Sequence, residues 1–342
     1  MACLKVERAG LFTTVQDLGR PGFQRYGVPV GGALDGDSLR VANALVGNVA
    51  DAAALELRFT GPRLRVDAES VAVALVGAST ALVVDGQRRA TLPPNRLARL
   101  RRGDGIDIAP LRDSATAYLA IAGGVAVAPV LGSRSTSVAG GFGGIGGRKL
   151  CDDDEIPLAS DAAPETPRRG LRRSPFERKP ALRVVLGPQD EMFTSDGIAT
   201  FLGSTYTVTH EADRMGIRLD GPEIAHKSGY NIVSDGVASG AIQVPGSRQP
   251  IVLLADRQTT GGYPKVATVI SADIASCGRL RPGDQVRFAA VSIEEAENAA
   301  RAHERFMREL LARIAAGEEP ELDLEALYSQ NLISGVVGVH DA

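Results

Sequence analysis

The chain has 342 residues, a formal net charge of −3 and a sequence pI of about 5.9. This charge balance argues against a nucleic-acid partner, because phosphate binding needs an excess of Lys and Arg on one face. The length predicts about two domains, each able to bury a core without a metal or disulfides.

The three cysteines share no metal-type spacing, and their odd number favours a reducing compartment. We therefore expect a cytoplasmic protein without a metal site. Residues 1–6 contain no apolar run of signal-peptide length, which argues against export. Residues 114–133 carry no charge, but Gly123, Gly124 and Pro129 interrupt them. A buried strand and a loop are expected there, and no membrane contact.

A polar, Gly-rich segment at 13–29, TTVQDLGRPGFQRYGVP, is the first distinctive element. A helix is predicted to follow from about Asp37 and to end at Gly47, which can adopt the left-handed conformation common after helices. Short apolar or β-branched runs, bounded by Gly, Pro or Asp, predict strands. The clearest of these runs are 71–76, 117–122, 182–186, 206–209 and 251–254.

The second half begins with a segment rich in Pro and Arg at 161–180, which reads as a linker with a solvated basic cluster. A second polar, Gly-rich segment, DRQTTGGYPKVATV, occupies 256–269. A helix is predicted from Ser292, where Glu295 completes an S-x-x-E capping box, to Gly317. Its predicted apolar stripe consists of Ala299, Phe306, Leu310 and Ile314.

An internal duplication organises these elements. LRFTGP at 57–62 returns as IRLDGP at 217–222, and LCDDDEIPL at 150–158 as LRPGDQVRF at 280–288. We therefore predict a mainly β fold of two tandem β-barrel domains with few helices and a C-terminal helix. The predicted boundaries are 1–160 for the first barrel, 161–180 for the linker, 181–290 for the second barrel and 291–342 for the C-terminal helix and tail.

Six ordered motifs carry a family resemblance across about residues 6–288. They are TTVQDLGRPGFQRYGVPVGGALD, RVANALVGN, RMGIRLDGPEI, SDGVASGAIQVP, PIVLLADRQTTGGYPKVATV and RPGDQVRF. Together they resemble the KipA-like family, also called allophanate hydrolase subunit 2. That family is similar to the C subunit of prokaryotic 5-oxoprolinase, as well as to the later part of the carboxyltransferase domain of urea carboxylase.

The resemblance implies paired cyclophilin-like β-barrels in a protein that works beside two partners, a KipI-like B subunit plus a third protein, the A subunit. The implied reaction is the ATP-dependent opening of 5-oxo-L-proline to L-glutamate, which is hydrolysis of a cyclic amide. No Walker-type phosphate loop occurs, because the glycines of 140–149 lack its spacing. We therefore expect a partner protein to hold most of the ATP.

Opening a lactam requires activation of its carbonyl or stabilisation of the developing oxyanion, at roughly 3 kcal/mol per preorganised donor. A substrate carboxylate favours the forked donors of Arg. The predicted catalytic residues are Asp17, Arg20, Arg214, Gln243, Asp256 and Arg257. The predicted substrate-binding residues are Gln16, Asp35, Gln258, Thr259, Thr260, Gly262, Tyr263 and Lys265.

Several of these residues have a structural alternative. Asp17 and Arg20 lie three positions apart and could pair with each other. Asp35 could cap the helix that follows it. Asp213 stands where the family commonly has Asn, and an ionised Asp cannot donate a hydrogen bond, so the substrate is open at this point.

Two other functions also fit the sequence. The chain could be the carboxyltransferase component of a biotin-dependent carboxylase that acts on urea or a similar amide. It contains no MKM-type biotin attachment sequence, so the biotin carrier would be separate. Alternatively, it could be a non-catalytic regulator that binds a KipI-like partner. The four scattered histidines do not support a His-based triad.

Overall fold

The computed structural model describes residues 2–86, 90–165 and 169–317. The strands of the first half are β1 (Cys3–Arg8), β2 (Phe12–Gln16), β3 (Ala54–Arg58), β4 (Arg63–Asp67), β5 (Ser70–Val76), β6 (Leu82–Asp85), β7 (Ala90–Leu92), β8 (Leu97–Arg101), β9 (Gly105–Ile108), β10 (Thr116–Ile121) and β11 (Glu155–Pro157). They form two antiparallel sheets with orders β11-β1-β4-β9-β6-β7 and β2-β3-β10-β5-β8.

Alternation along these strands divides the side chains between two layers. Leu55 and Leu57 of β3 point into one core shared by both sheets, together with Leu119 of β10. The intervening residues point the other way, so Glu56 and Tyr118 lie opposite each other on the outer face of the second sheet. Both are fully buried, because helices cover that face.

The strands of the second half are β12 (Leu182–Leu186), β13 (Tyr206–Ala212), β14 (Gly216–Asp220), β15 (Asp235–Gly236), β16 (Ala241–Gln243), β17 (Ile251–Leu253), β18 (Thr260–Gly261), β19 (Lys265–Val269), β20 (Gln285–Val286) and β21 (Phe288–Ala290). They form one sheet with the order β20-β13-β14-β17-β16-β19-β12-β21, plus the short ribbon β15-β18. Among the described strands of this sheet, only β12 and β21 pair in parallel.

The duplication inferred from sequence has a structural counterpart. LRFTGP includes the end of β3, which pairs with β2 and β10, and IRLDGP includes most of β14, which pairs with β13 and β17. The predicted mainly β class with few helices is confirmed, and each half carries its own apolar core.

The described residues contain four α-helices, α1 (Gly36–Val46), α2 (Ser195–Gly203), α3 (Ser271–Arg279) and α4 (Ile293–Ala316). The predicted end of α1 is confirmed, since Gly47 has a φ of 81°. The capping box of Ser292 and Glu295 and the end of α4 at Gly317 are also confirmed. The sequence reasoning missed α2 and α3.

Helix α4 returns from the second barrel to pack on the first. Its buried residues Met307, Leu310 and Ile314 join α1 in covering the outer face of the second sheet. The predicted stripe was wrong at Phe306, which is 40% exposed. The face of α4 that packs on the first barrel contains the next residue, Met307, instead. No helix among residues 2–86, 90–165 and 169–317 is both long and apolar enough to cross a membrane.

Candidate active site

Arg214 joins the two halves of the molecule. Its Nε donates to Asp256 Oδ2 at 2.7 Å, and its Nη2 donates to Asp256 Oδ1 at 3.0 Å and to the Gly32 carbonyl at 2.6 Å. Its Nη1 donates to Glu56 Oε1. Burial alone would lower the pKa of Arg214, but the charges of Glu56 and Asp256 raise it above its usual value. Arg214 is therefore a permanently charged bridge between the barrels.

The network continues from Glu56 into the first half. Glu56 Oε2 accepts hydrogen bonds from the Tyr118 hydroxyl at 2.6 Å and from the Leu34 N–H at 2.9 Å. The Tyr118 oxygen in turn accepts the Asp35 N–H at 2.9 Å. Burial, then the negative charge of Glu56, raises the pKa of Tyr118 well above its usual value. Tyr118 thus stays a neutral donor.

Asp35 ends this network as a helix cap. Its carboxylate accepts the Ser38 N–H at 3.1 Å, the Ser38 hydroxyl at 2.6 Å and the Arg279 Nε at 2.6 Å. The side chain is fully buried. The structure therefore shows the capping alternative for Asp35, and a substrate contact by this carboxylate would require these bonds to break.

Replacing Tyr118 with phenylalanine should lower the free energy of unfolding by about 1–3 kcal/mol, because the Asp35 N–H and Glu56 Oε2 lose a buried partner. Tyr206→Phe is the matched control: Tyr206 is equally buried, but its hydroxyl has no hydrogen-bond partner in the described ranges. We expect it to change stability by under about 0.5 kcal/mol or to stabilise the protein. Urea unfolding followed by circular dichroism measures both, and equal losses would contradict the network.

Asp17 organises the first polar loop. Its carboxylate accepts hydrogen bonds from the Ser133 hydroxyl at 2.6 Å, the Ser135 hydroxyl at 2.5 Å, the Arg134 N–H at 2.6 Å and the Gly19 N–H at 2.8 Å. No ion pair joins it to Arg20 within 4 Å. The structure thus does not contain the simple Asp17–Arg20 pair considered as the alternative, and the Asp17 carboxylate instead ties 133–135 to the loop.

Arg20 is buried without a carboxylate partner in the described part of the chain. It is 1% exposed, donates to the Ser135 and Val130 carbonyls, and stacks 4.9 Å from the Phe142 ring centroid. Burial lowers its pKa from the usual value. Its Nη1 is buried and has no hydrogen-bond partner among the described residues. This nitrogen is a free donor inside the protein.

The two polar loops meet at Gly31. A β-carbon built there would lie 3.2 Å from Arg20 Nη1 and 3.6 Å from Asp256 Oδ1, so the two side chains face the same glycine. The Gly31 N–H also donates to the Ala255 carbonyl at 3.2 Å. Gly31 has a φ of 63°, a conformation that favours glycine. The structure therefore brings together the segments beginning at Thr13 and Asp256.

Arg257 follows Asp256 in the second polar segment. It is 4% exposed, and its Nε and Nη1 donate to the Val237 carbonyl at 3.0 Å and the Leu254 carbonyl at 3.1 Å. No carboxylate of the described residues lies within ion-pair distance, and burial lowers its pKa from the usual value. A buried guanidinium without a counter-ion is suited to receive an anionic ligand.

Two glutamines and a lysine lie in or beside the second polar loop. Gln258 Nε2 approaches Gln243 Oε1 at 3.5 Å, while Gln243 Nε2 is buried and lacks a partner in the described ranges. A β-carbon at Gly261 would come within 2.5 Å of that nitrogen, so only glycine leaves room for it. Lys265 is buried, and its Nζ pairs with Asp235 at 3.0 Å.

The remaining predicted residues separate into two groups. Gln16 is fully buried in the first half, where its Nε2 donates to the Thr14 hydroxyl and the Thr136 carbonyl, so it lies beneath the loop. Four residues of the second loop line its outer side, with Thr260 and Tyr263 exposed and Thr259 and Gly262 half-buried.

The arrangement leaves three buried polar atoms unpaired. The donors Arg20 Nη1 and Gln243 Nε2 and the acceptor Gln16 Oε1 have no hydrogen-bond partner in the described part of the chain. Such orphaned groups are uncommon in folded proteins and call for an explanation, such as a ligand. Donors from Arg20, Gln243 and Arg257 suit a negatively charged amide or acyl substrate. Among the described residues, no group of three or more His, Cys, Asp or Glu could hold a metal ion.

The sequence reasoning missed four important groups: Glu56, Tyr118, the Ser133–Ser135 turn and Phe142. A usable signal existed for Glu56, because a lone acid within the apolar run ALEL of a strand indicates a buried charge that needs a cation.

The structure gives Asp213, which replaces the usual Asn of the family, a role in a local turn. Its Oδ1 accepts the N–H groups of Met215 at 2.8 Å and Gly216 at 3.1 Å, a turn that the Asn oxygen could form equally well.

Comparisons with known proteins match this architecture. The carboxyltransferase domain, subdomain A and B, matches residues 26–290. The 5-oxoprolinase C subunit of Escherichia coli (strain K12) is 36% identical over 312 residues, covering 91% of this chain and 98% of that protein. The crystal structure of TTHA0988 is 34% identical with a TM-score of 0.75, covering 84% of this chain and 55% of that one.

The structure of the K. lactis urea amidolyase gives a TM-score of 0.80 at 27% identity, covering 90% of this chain and 20% of that one. The chain thus spans about half of TTHA0988 and a fifth of the urea amidolyase. The bacterial protein of Escherichia coli, in contrast, is matched along nearly its whole length. On these grounds the chain belongs to the carboxyltransferase domain family, subdomains A and B, together with the 5-oxoprolinase C subunits.

Proposed function

We propose that the chain is the C subunit of a multi-protein, ATP-dependent 5-oxoprolinase that opens 5-oxo-L-proline to L-glutamate in the cytoplasm. Its partners in this proposal are a KipI-like B subunit plus an A subunit. The name of the Escherichia coli relative supports the reaction. The observation that carries the proposal is the pair of buried arginines without carboxylates, Arg20 and Arg257, on the two loops that meet at Gly31.

The substrate matches these groups in charge and shape. A five-membered lactam that bears a carboxylate needs one cationic anchor and one donor at its amide oxygen. In the proposal, the Arg257 fork receives the carboxylate, and Arg20 Nη1 donates to the lactam oxygen as negative charge develops there. Gln243 Nε2 offers a further neutral donor. Water adds to the carbonyl carbon, the C–N bond breaks, and the nitrogen takes a proton to become the amino group of glutamate.

Asp256 holds the arrangement in position. Its two oxygens are fixed by Arg214, so its carboxylate is oriented toward Gly31. Arg214 in turn is fixed by Glu56 of the first barrel. The relative position of Arg20 and Arg257 therefore depends on this bridge. We assign Arg214 and Asp256 a positioning role.

Close packing of the Gly-rich segment at 140–149 supports placing the ATP on a partner protein. A β-carbon at Gly147 would lie 2.2 Å from the Gly141 backbone, and one at Gly143 would lie 2.2 Å from the Ser135 carbonyl oxygen. The segment is packed on itself and on the neighbouring loop, with Phe142 against Arg20. We therefore assign the ATP to a partner protein.

Reconstitution tests the proposal. The purified chain with ATP and 5-oxo-L-proline should release almost no glutamate. Addition of the KipI-like protein and the third component should restore glutamate release, coupled to ATP hydrolysis. Assembly of all three proteins without glutamate formation would contradict the proposal.

The family match to a carboxyltransferase domain favours one alternative, the transfer of a carboxyl group from a separate biotin carrier to urea or a similar amide. The same arginines would then receive the carboxyl group. Avidin separates the two reactions. Carboxylation of urea that avidin abolishes, with no glutamate formed from 5-oxoproline, would select the alternative.

A further inference from the structure

A cavity of about 500 Å³ lies where the linker passes between the two barrels, away from the polar loops. Its walls come from the first half at 77–79, 94–95 and 113–114, from the linker at 172–182, and from the second half at 276–287. This volume is in the range of sites for small molecules. None of the catalytic or substrate-binding residues proposed above lines it.

Seven cationic side chains line this cavity, against three acidic ones. The cations are Arg172, Arg173, Arg178, Lys179, Arg279, Arg281 and Arg287, and the acids are Asp113, Glu177 and Asp284. Arg172, Arg173 and Arg178 of the basic linker cluster are exposed to solvent, as expected from the sequence, and they also form one wall of the cavity. The cations come from two short segments, 172–179 and 279–287, and only the fold places both segments on one cavity.

Lys179 pairs with Asp273 and Arg279 pairs with Asp35, two acids outside the lining. Glu177 forms no ion pair among the described residues, so the positive excess is carried by the arginines that have no acid.

Asp284 is shared by Arg178 at 3.3 Å and Arg281 at 3.6 Å. Asp113 accepts the Ser79 N–H at 3.0 Å. Arg172, Arg173 and Arg287 have no carboxylate within ion-pair distance among residues 2–86, 90–165 and 169–317. Three unpaired guanidinium groups around one concavity favour a ligand with more than one negative charge.

Two further features support a ligand-binding role. Asn95 lines the cavity at 6% exposure, and its Oδ1 has no hydrogen-bond partner in the described ranges. A shallow depression shares Arg178, Lys179 and Arg287 with the cavity and extends the basic surface outward. A buried acceptor beside a basic wall suits a phosphorylated compound that also carries a hydroxyl or amino group.

The geometry points to a second binding site, at the linker, for a small molecule that carries a diphosphate or a comparable cluster of phosphate charges. In this site, Arg173 of the linker and Arg287 of the second barrel donate hydrogen bonds to the phosphate oxygens. The site is independent of the proposed lactam chemistry, since it shares no substrate-binding residue with it.

Isothermal titration of the purified full chain with pyrophosphate and, separately, with ADP tests this assignment. Both arms need only the isolated chain, so they are independent of oxoprolinase activity. We expect saturable binding of at least one probe. The double variant R173E/R287E should weaken binding by at least about tenfold, as expected for the loss of two charge-assisted contacts.

The matched control is R305E/R308E, which reverses two exposed arginines of α4 away from the cavity. It should weaken binding by less than about twofold, because long-range charge is screened. Tighter binding of ADP than of pyrophosphate identifies a nucleotide, and the reverse identifies a free polyphosphate. The absence of binding to both probes, or an equal loss in the two double variants, overturns the assignment.

Discussion

Replacing Arg214 with methionine should lower the free energy of unfolding by about 3–5 kcal/mol, because buried Glu56 and partly buried Asp256 lose their counter-ion. Glu56 is fully buried, and the Asp256 carboxylate is held at 2.7 Å and 3.0 Å by Arg214. Methionine fills much of the space but cannot offset either charge. Urea unfolding of the isolated chain measures the loss.

Arg218→Met is the matched control, on strand β14 four residues after Arg214. Arg218 pairs at 2.8 Å with Glu211, but both side chains are exposed. Its replacement should cost less than about 1 kcal/mol. The double variant E56L/R214M should be less destabilised than the sum of its single changes, because the second change removes a charge that the first left unpaired. Equal costs for Arg214→Met and Arg218→Met would contradict the role of Arg214 as the bridge.

Arg257→Met should have the opposite profile, with a loss of activity and little loss of stability. In the reconstituted enzyme we expect kcat/KM for 5-oxo-L-proline to fall by about 10²–10³, as for the loss of a buried charge-assisted contact to substrate. The free chain should retain its stability within about 1 kcal/mol, because removing a buried cation without a counter-ion offsets the loss of its bonds to the Val237 and Leu254 carbonyls. In the proposed function, this buried, unpaired cation costs folding energy and is retained because it binds the substrate.

Two variants refine this result. Arg257→Lys keeps the charge but not the fork, so its activity should lie between those of the wild type and Arg257→Met. Arg248→Met removes an exposed arginine of the second half that pairs with exposed Glu223, and it should be fully active. If Arg257→Met unfolded as readily as Arg214→Met, its loss of activity would have a structural origin, and Arg257 would not be a substrate ligand.

Local features were predictable from the sequence. The end of α1 at Gly47 and the capping box of α4 are encoded within a few residues, because a cap needs only its own neighbours. The duplication also indicated the paired barrels, since strand patterns repeat in order. In contrast, α2 and α3 have only nine residues each, too few for their periodicity to be distinctive.

The partners of the site residues were not predictable, because they come from distant parts of the chain. Sequence proximity suggested that Asp17 pairs with Arg20, whereas Asp17 binds Ser133 and Ser135. Arg214 is neutralised by Glu56, 158 positions away. The composition of the two polar loops predicted which residue types a site would use. Only the fold shows that Arg214 is neutralised, whereas Arg20 and Arg257 have no acid within ion-pair distance among the described residues.

A crystal structure of the assembled complex with 5-oxo-L-proline bound tests the central claim most directly. We predict the substrate carboxylate within about 3 Å of the Arg257 guanidinium and the lactam oxygen at Arg20 Nη1, next to Gly31. A substrate held wholly by the partner proteins, with neither arginine in contact, would contradict it.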